Sequence, residues 1–323
     1  MRVLTQDRYG SADVLRLEEV PVPEPGPGQV RLRVHAAGVN ALDWHLMRGA
    51  PLLVRPALGL RRPKHAERGV DVAGVVEAIG PGAASRFAIG DAVLGWCFGA
   101  FADYACADQD ELVAKPPSID FEQAAAIPTS ATTAWRGLHR TVEVQPGQRV
   151  LIIGASGGVG SYAVQIAKAA GAEVTGVCSA RNVELVRSLG ADHVVDYTRE
   201  DPLRGNIRYD VIVELAGTTS PLRYRHALTR RGTLVLSSGV GGRWLGPLGR
   251  MILGLAASPF VSQRIALLAA TTDPDELQAV TALVESGAIR PVMDRRFPLA
   301  EAAEAIRYIE MGHTQGKSVV VMS

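Results

Sequence analysis

Two patterns of apolar and polar positions divide the chain. Up to about residue 115, short apolar or alternating runs at 14–19, 29–37, 71–79 and 92–97 are separated by clusters of proline and glycine. Such runs are typical of short β-strands joined by turns. From about residue 118, apolar strand-like runs alternate with helical patterns, which predicts an α/β domain with a parallel sheet.

The clearest strand–turn–helix unit lies at 149–172. Its apolar run, 150–153, predicts a buried parallel strand, and the glycine-rich sequence GASGGVG follows at 154–160. A helical pattern comes next. Glycines let a backbone approach a pyrophosphate, and the N–H groups at the start of a helix bind it. The unit therefore predicts a dinucleotide site, although Ala155 stands where the G-x-G-x-x-G fingerprint has its first glycine.

The segment after the next strand narrows the choice of cofactor. Residues 173–178 predict the second parallel strand, and 179–182 follow it without an acidic residue. NAD-binding proteins of this fold place an acid there to bind the ribose 2′-hydroxyl, whereas a serine and an arginine suit a 2′-phosphate. Ser179 and Arg181 therefore favour NADPH over NADH. The alternative is that Ser179 caps a helix at 182–189 and Arg181 is a solvated surface charge.

Further strand and helix patterns continue to the C-terminus. Strand patterns begin at residues 193, 210 and 233. After residue 270, helical patterns at 274–287 and 299–310 alternate with strand patterns at 292–297 and 317–322. The most apolar stretch, 244–260, is interrupted by a proline and an arginine. We expect it to form a buried helix, a flap over a substrate pocket or a dimer contact.

Length, charge and cysteine content limit the classes of function. A chain of 323 residues is natural for two domains, and a net charge of +1 gives no indication of a nucleic-acid partner. The N-terminus lacks the apolar core of a signal peptide, and no apolar run reaches the roughly 20 residues of a membrane span. Cys97, Cys106 and Cys178 form no C-x-x-C pair and are expected in or near the core. We therefore expect a cytoplasmic protein without membrane or nucleic-acid partners.

Seven blocks of the sequence carry a family resemblance. They are GVNALD at 38–43, GVDVAGVV at 69–76, GDAVLG at 90–95, the glycine turn at 154–160, LGAD at 189–192, VDY at 195–197 and GHTQGK at 312–317. Over nearly its full length, the chain resembles the zinc-free quinone-oxidoreductase-like branch of the medium-chain dehydrogenase/reductase superfamily. The resemblance implies an α/β protein with a GroES-like β-barrel catalytic domain at 1–117, a doubly wound Rossmann NADP-binding domain at 118–270 and a C-terminal segment, 271–323, that returns to the catalytic domain.

The resemblance also implies that the chain holds no metal. Zinc alcohol dehydrogenases of the superfamily carry a cysteine ligand where this chain has Asn40, and a His-Glu pair where it has Val70 and Asp71. Catalytic zinc needs three ligands of the Cys, His or carboxylate type, and asparagine and valine cannot supply them.

Without a metal, the resemblance implies NADPH-dependent hydride transfer to a quinone or an α,β-unsaturated carbonyl compound. The product oxygen then gains negative charge and needs a hydrogen-bond donor. Asn40 is the first candidate donor, with a turn asparagine that bonds its own backbone as the alternative. His45, where many relatives have a tyrosine, is a candidate proton donor or a partly buried structural histidine. Asp43 is expected to order the loop rather than to transfer protons.

The cofactor residues implied by the resemblance are spread along the chain. Those expected at the pyrophosphate are Ser156, Gly157, Gly158 and Val159, and those expected at the 2′-phosphate are Ser179, Arg181 and Tyr197. Those expected around the nicotinamide and its ribose are Asn40, Thr133, Ser238 and Gly239, and Lys317 would reach the cofactor from the C-terminal segment. Tyr197 as a strand cap and Lys317 as a solvated charge are the alternatives.

Two classes of function stay open on the sequence alone. The first is an NADPH-dependent reductase of a small electrophile. The second is a non-catalytic NADPH-binding protein that acts through partner contact or as a structural protein. The missing zinc ligands disfavour a third class, the alcohol dehydrogenases. The resemblance further implies a homodimer, in which edge strands at 260–268 of two Rossmann domains meet across a two-fold axis.

Overall fold

The computed structural model describes residues 1–82, 85–217, 219–237, 249, 252, 262–269, 271–312 and 314–322, apart from the side chain of residue 54. The chain divides into two units. Unit 1 comprises Met1–Thr132, Thr271–Ser286 and Pro291–Ser323, and unit 2 comprises Thr133–Ala270 and Gly287–Arg290. Of the apolar stretch 244–260, only residues 249 and 252 are described, and the predicted edge strand at 260–268 is described from residue 262 onward.

The strands follow one another in chain order as β1 (Arg2–Thr5), β2 (Arg16–Glu19), β3 (Gln29–Gly38), β4 (Asp71–Ile79), β5 (Ala92–Trp96), β6 (Tyr104–Asp108), β7 (Leu112–Ala114), β8 (Arg149–Ile153), β9 (Glu173–Cys178), β10 (His193–Asp196), β11 (Tyr209–Glu214), β12 (Leu228–Leu236), β13 (Arg264–Leu267), β14 (Met293–Pro298) and β15 (Lys317–Val321).

The helices are α1 (Ala41–Arg48), α2 (Arg55–Leu58), α3 (Phe121–Ala125), α4 (Pro128–Trp135), α5 (Gly158–Ala169), α6 (Val183–Ser188), α7 (Pro221–Tyr224), α8 (Pro274–Glu285) and α9 (Ala302–Glu310). The predicted strand at 173–178 coincides with β9, and the predicted strand at 71–79 coincides with β4. The predicted strand at 233 begins earlier, at residue 228, because Leu228 pairs with Tyr209 before a register shift.

Unit 1 contains a seven-stranded sheet in the order β14-β15-β3-β4-β5-β7, with β6 paired to β3. Neighbouring strands are antiparallel, except β14 and β15, which are parallel. Alternate residues of β3, such as Val30 and Leu32, are fully buried, and Ile306 of α9 and Val320 of β15 lie in the same apolar core. Each such side chain contributes roughly 1.5–3 kcal/mol when buried. The C-terminal segment is therefore part of the core of unit 1.

The boundaries of the units differ from the predicted boundaries at 117 and 270. Residues 118–132 belong to unit 1, and within them Thr129 donates hydrogen bonds to Asp71 of β4. Residues 287–290 belong to unit 2, because Gln165 of α5 exchanges two hydrogen bonds with the backbone of Arg290, at 2.9 and 3.0 Å. Side-chain contacts of this kind are not visible in a pattern of apolar positions.

Unit 2 contains a six-stranded parallel sheet in the order β10-β9-β8-β11-β12-β13. Numbered from β8, this is the 3-2-1-4-5-6 order of a doubly wound Rossmann domain. The order reverses between β8 and β11, and ligands of such sheets bind at the carboxyl ends of the strands next to this point. The glycine turn at 154–160 follows β8 directly, so it lies at that position.

Tight packing explains the composition of the glycine turn. Gly154 has a φ of +85°, a conformation that suits glycine. A Cβ on Gly160 would overlap the carbonyl oxygen of Gly154, so only glycine lets α5 approach the end of β8. Ala155 is accommodated because the neighbouring strand β9 has a glycine, Gly176, whose added Cβ would lie 3.1 Å from the Ala155 Cβ.

Gly160→Ala is therefore expected to destabilise the protein, whereas Gly157→Ala provides a matched control in the same turn. An added Cβ at Gly157 would meet only the Gly154 oxygen, at 3.5 Å. Overpacking typically costs about 1–3 kcal/mol, which for a domain of this size lowers the Tm by roughly 3–10 °C. Thermal unfolding of both variants measures the difference. Equal Tm values would show that α5 moves away from the turn without cost.

Candidate functional site

Three neighbouring strands of unit 1 bring polar residues to one end of the sheet. The strands β15, β3 and β4 are adjacent, and Gly38 at the end of β3 pairs with both Val319 and Asp71. The end of β3 is therefore next to the starts of β4 and β15. This topology places Asn40, Asp71 and Lys317 together, although they are far apart in the sequence.

Asn40 lies in the turn between β3 and α1. Its backbone N–H donates to Asp43 Oδ2 at 2.8 Å, which fixes the start of α1 and confirms that Asp43 orders this loop. Its side-chain Oδ1 accepts a hydrogen bond from Lys317 Nζ at 2.6 Å. The amide nitrogen Nδ2 lies 3.5 Å from the Gly38 oxygen, so the contact with its own backbone is the weaker one. The main partner of the Asn40 side chain is thus a lysine from the C-terminal segment.

Lys317 is buried, with only 2 % of its surface exposed. The alternative that it is a solvated surface charge is therefore wrong. Besides Asn40, its Nζ donates to the Val39 oxygen at 3.1 Å and lies 3.7 Å from Asp71 Oδ2. Burial lowers the pKa of Lys317, and the nearby carboxylates of Asp71 and Asp43 oppose this shift. The predicted contact of Lys317 with a cofactor stays a prediction.

Asp71 is fully buried at the start of β4. Its carboxylate accepts hydrogen bonds from the Thr129 backbone N–H and, at 2.5 Å, from the Thr129 hydroxyl. The hydroxyl oxygen of Thr129 in turn accepts from Trp96 Nε1 at 3.3 Å. Burial raises the pKa of Asp71, while Lys317 and the hydrogen bonds from Thr129 and Asn40 act in the opposite direction. Asp71 therefore joins Thr129 to the Lys317–Asn40 pair.

Asp43 and Arg68 complete the charged groups of this cluster. Asp43 is 1 % exposed, and burial raises its pKa from 3.8 to about 7. The other oxygen, Oδ1, is buried without a hydrogen-bond partner among the described residues. Arg68 is also buried, which lowers its pKa, and the charge of Asp43 opposes that shift. Two carboxyl groups and two cations thus share one low-dielectric region.

His45 lies on α1, five residues after Asn40, and is half-buried. Its ring packs edge-to-face against Trp44, with 4.2 Å between the ring centroids. Burial lowers the pKa of His45 below its ordinary value of 6.5. The imidazole is therefore mostly neutral at pH 7. Its predicted role as a proton donor stays a prediction.

The glycine turn of unit 2 has the form of a pyrophosphate cradle. Gly157 is the N-cap of α5, and the space above it is open to a side chain, so the backbone is accessible at this point. The first N–H groups of a helix have no partners within the helix, and they carry its positive end. Ser156 is held in place because its Oγ accepts from Asn182 Nδ2 at 2.8 Å. The residues present in the turn fit a dinucleotide.

The residues predicted for the 2′-phosphate follow two neighbouring strands. Ser179 and Arg181 come after β9, and Tyr197 comes after β10 and donates its backbone N–H to the Cys178 oxygen at 3.1 Å. Arg181 and Tyr197 are exposed. Ser179 is the N-cap of a 3-10 turn, Ala180–Asn182, that continues into α6, but its side chain makes no capping hydrogen bond, so the alternative of a capping serine stays open. The carboxyl ends of β9 and β10 thus bring all three predicted residues to one edge of the sheet.

Asp196 is a residue of this edge that the sequence analysis missed. It ends β10, pairs with Cys178 of β9 and accepts hydrogen bonds from the backbone and hydroxyl of Thr198. Those hydrogen bonds lower its pKa. A search limited to the residues after β9 overlooks an acid that a neighbouring strand delivers. Asp71 and Thr129 were also missed as site residues, although a charged residue in an apolar strand is a usable signal.

The other predicted residues divide between buried and undescribed positions. Thr133 on α4 is buried, and Ser238 and Gly239 lie outside the described residues. Burial raises the pKa of the Cys97 thiol, and it raises the pKa of Cys178 to about 11. These thiols are therefore protonated at neutral pH, as expected for core residues rather than nucleophiles.

The donor set of the described residues does not fit a metal ion. No group of three or more His, Cys, Asp or Glu side chains in the described ranges is placed to hold one. Asp71, which stands in the block where zinc relatives have ligands, is already bonded to Thr129 and faces Lys317. In the same part of the chain, no helix is both long and apolar enough to cross a membrane.

Two family models match the chain. Residues 26–117 match the alcohol dehydrogenase GroES-like domain, and residues 189–320 match the zinc-binding dehydrogenase family. These models cover parts of both units and confirm the predicted fold class. The second name describes the family; at the two ligand positions named above, this chain has Asn40 and Val70.

Known proteins are similar over nearly the whole chain. A chloroplastic quinone oxidoreductase of Triphysaria versicolor is 32% identical over 99% of this chain and 98% of its own length. An NADPH-dependent alkenal/one oxidoreductase of Arabidopsis thaliana is 32% identical over 99% of this chain and 79% of its own. The Escherichia coli quinone oxidoreductase, solved in complex with NADPH, has a TM-score of 0.86 and 26% identity, over 99% of this chain and 100% of its own.

The raised pKa of Asp43 predicts a stability that falls as the pH rises. Between about pH 4 and 7 the folded protein holds a proton on Asp43 that the unfolded chain has lost, because the pKa moves from 3.8 to about 7. Folding stability should therefore fall by up to about 1.4 kcal/mol per pH unit in this range and level off above it. Asp43→Asn removes this contribution, so its stability relative to the wild type should increase from pH 5 to pH 7.

Denaturant unfolding of both proteins at several pH values measures the effect. Asp192→Asn is the control. Burial raises the pKa of Asp192, but the hydrogen bonds from Lys168 and Val174 outweigh this effect and lower the pKa, so the difference from the wild type should change little between pH 5 and 7. Parallel curves for Asp43→Asn and the wild type would contradict the prediction.

Proposed function

Because the chain belongs to the quinone-oxidoreductase-like branch of the medium-chain dehydrogenase/reductase superfamily, we propose that it is an NADPH-dependent oxidoreductase that transfers hydride, without a metal ion, to a quinone or an α,β-unsaturated carbonyl compound. Relatives of both substrate types are similar over nearly the full length of this chain. Quinones and α,β-unsaturated carbonyl compounds are therefore both proposed as substrates.

The observation that carries this proposal is the buried Asn40 amide. Lys317 occupies the amide oxygen, so the group can offer only N–H donors to a ligand. An N–H donor in a site screened from water stabilises negative charge that develops on an oxygen. Reduction of an enone or a quinone creates such charge, as an enolate or a hydroquinone anion. Asn40 thus supplies the electrostatic role that a metal ion has in zinc relatives.

The residues of unit 2 would hold the cofactor, whose chemistry when bound is the supply of hydride. The backbone of the turn at Ser156–Val159 would bind the pyrophosphate through N–H groups. Arg181 and Ser179 would pair with the 2′-phosphate by charge-assisted hydrogen bonds, and Tyr197 would flank it. Thr133, Ser238 and Gly239 are proposed for the nicotinamide end.

A direct test of the function follows NADPH oxidation with a quinone, a 2-alkenal and a simple ketone. We expect turnover of the first two and little of the ketone. Asn40→Ala should lower kcat by about 10²-fold or more, the typical loss for one oxyanion donor, while the Kd for NADPH changes little. Wild-type kcat in Asn40→Ala would remove Asn40 from the mechanism. Absence of turnover with every electrophile would favour the alternative of a non-catalytic NADPH-binding protein.

His45 is tested by the pH dependence of the same reaction. If it supplies the proton, kcat falls as the pH rises through its pKa, which burial places below 6.5. His45→Phe should then reduce kcat with the alkenal and flatten this pH dependence. The loss should be smaller with a quinone, because a hydroquinone anion can take its proton from water. An unchanged pH profile would make His45 structural and water the proton source.

Cofactor selectivity is expected to depend on Arg181. One charge-assisted contact to the 2′-phosphate contributes about 1.5–3 kcal/mol, so NADPH should bind roughly ten- to a hundredfold more tightly than NADH. Arg181→Ala should remove most of this preference. Arg187→Ala is a matched control, because Arg187 is an exposed arginine of α6 paired with Glu184. Fluorescence titration gives the dissociation constants, and equal affinities in the wild-type protein would refute the assignment.

We also propose that the protein is a zinc-independent homodimer. Support comes from the absence of a suitable ligand group among the described residues and from β13, whose described pairing is on one side, with β12. Native mass spectrometry tests both parts, since the expected mass is twice that of the chain with no addition for zinc. A monomer at micromolar concentration, or one tightly bound zinc per chain, would overturn the respective part. The cytoplasmic location and the lack of membrane or nucleic-acid partners stay predictions.

A further inference from the structure

We infer that Lys317 is a positioning residue that holds the Asn40 amide in the orientation needed to donate to the substrate oxygen. The inference rests on the proposed function, because it concerns how Asn40 performs its role there. It assigns Lys317 an effect that passes through another side chain instead of a direct contact with the cofactor.

The two ends of the Asn40 amide are distinguished by their surroundings. An ammonium group has donors only, so Lys317 Nζ can bind the amide oxygen and not the amide nitrogen. The carboxylate of Asp71 accepts only, and it interacts favourably with the Asn40 side chain. A rotation of the amide by 180° would turn its N–H groups toward the ammonium. One orientation is therefore fixed. In it, Nδ2 makes only a long contact of 3.5 Å with the Gly38 oxygen, so this N–H is the one that a ligand oxygen would take over.

Lys317 is itself held firmly enough to act in this way. Its backbone N–H donates to the Val292 oxygen at 2.8 Å as β15 begins. The preceding Gly316 has a φ of +85° and lies against Val292 so closely that a side chain would overlap the Val292 oxygen. Asp71, which faces the ammonium, is anchored by Thr129. The long lysine side chain thus has little freedom left to lose when a ligand binds.

The N–H donors of the Lys317 ammonium are all directed toward groups of unit 1. The ammonium carries three N–H donors. Two of them serve the Val39 oxygen and Asn40 Oδ1, at 3.1 and 2.6 Å, and the third faces Asp71 Oδ2 at 3.7 Å. All three acceptors belong to the same buried cluster of unit 1. The lysine therefore acts on the reaction through the groups that it binds.

A double-mutant cycle tests this inference. Lys317→Met removes the ammonium and keeps the length of the side chain. We expect kcat to fall by about tenfold or more, with the KM for the electrophile and the Kd for NADPH changed by less than about twofold. In an Asn40→Ala background, the same substitution should lower kcat by less than about twofold, because the group that it positions is already absent. The decrease in Tm of the double variant should likewise be smaller than the sum of the decreases for Lys317→Met and Asn40→Ala.

Two further variants keep the test decisive. Lys317→Met leaves Asp71 buried without its cation, so the protein can fail to fold. Asp71→Asn/Lys317→Met removes both charges, and it should fold while showing the same loss of kcat. Lys168→Met is the matched control, because Lys168 pairs with Asp192 in a similar contact away from this cluster, and kcat should not change.

The outcomes separate the inference from the proposed function. A Kd for NADPH that rises by tenfold or more in Lys317→Met, or kcat losses that multiply in the double variant, would overturn the positioning role and leave the role of Asn40 intact. Wild-type kcat in Asn40→Ala would overturn both. Loss of kcat in each single variant without further loss in the double variant supports the inference.

Discussion

The antiparallel pairing of β15 with β3 is the constraint on which the site of unit 1 depends. It joins the last strand that the structure describes to a strand near the start of the chain. Lys317 can therefore hydrogen-bond to Asn40, which lies 277 residues earlier in the sequence. Without this pairing, the Asn40 amide would face solvent or its own backbone, as turn asparagines commonly do. The same pairing places Val320 in the apolar core. The strand that contributes to the apolar core therefore also contributes a residue to the polar cluster.

A cluster of buried charges raises the free energy of the folded protein, and the hydrogen bonds and ion pairs within the cluster limit this increase. Removal of a carboxylate or an ammonium from water costs several kcal/mol unless the group is paired and hydrogen-bonded. Asp71 meets this need with Thr129 and Lys317, and Lys317 meets it with three acceptors. For both carboxyl groups burial outweighs the partners and raises the pKa, in the case of Asp43 to about 7. The cluster thus contains one carboxyl group whose protonation is balanced near neutral pH.

The sequence predicts elements well where local patterns determine them, and contacts poorly where topology does. The apolar run at 173–178 predicts the second Rossmann strand, β9, with the same first and last residues that the structure has. The glycine turn likewise predicts the start of α5. Residues that share an edge through strand order, such as Asp196 beside Cys178, carry no local signal. The boundary between the units also differs from the predicted residue 117, and the Thr129–Asp71 hydrogen bonds lie in the segment concerned. Buried charges in apolar strands are the one signal from which these contacts could have been suspected.

The two units solve different recognition problems by different physical means. The turn of unit 2 relies on backbone N–H groups and on the absence of side chains, so the alanine at position 155 is tolerated only because β9 supplies Gly176 opposite it. The site of unit 1 relies on side chains, and its donor needs a fixed orientation to be effective when charge develops. A metal ion would provide that orientation through its ligands. Here Asn40 and Asp71 stand in the blocks where zinc relatives have ligands, and a lysine ammonium lies between them. A cation that the chain itself provides thus lies between side chains of the two blocks in which those relatives have zinc ligands.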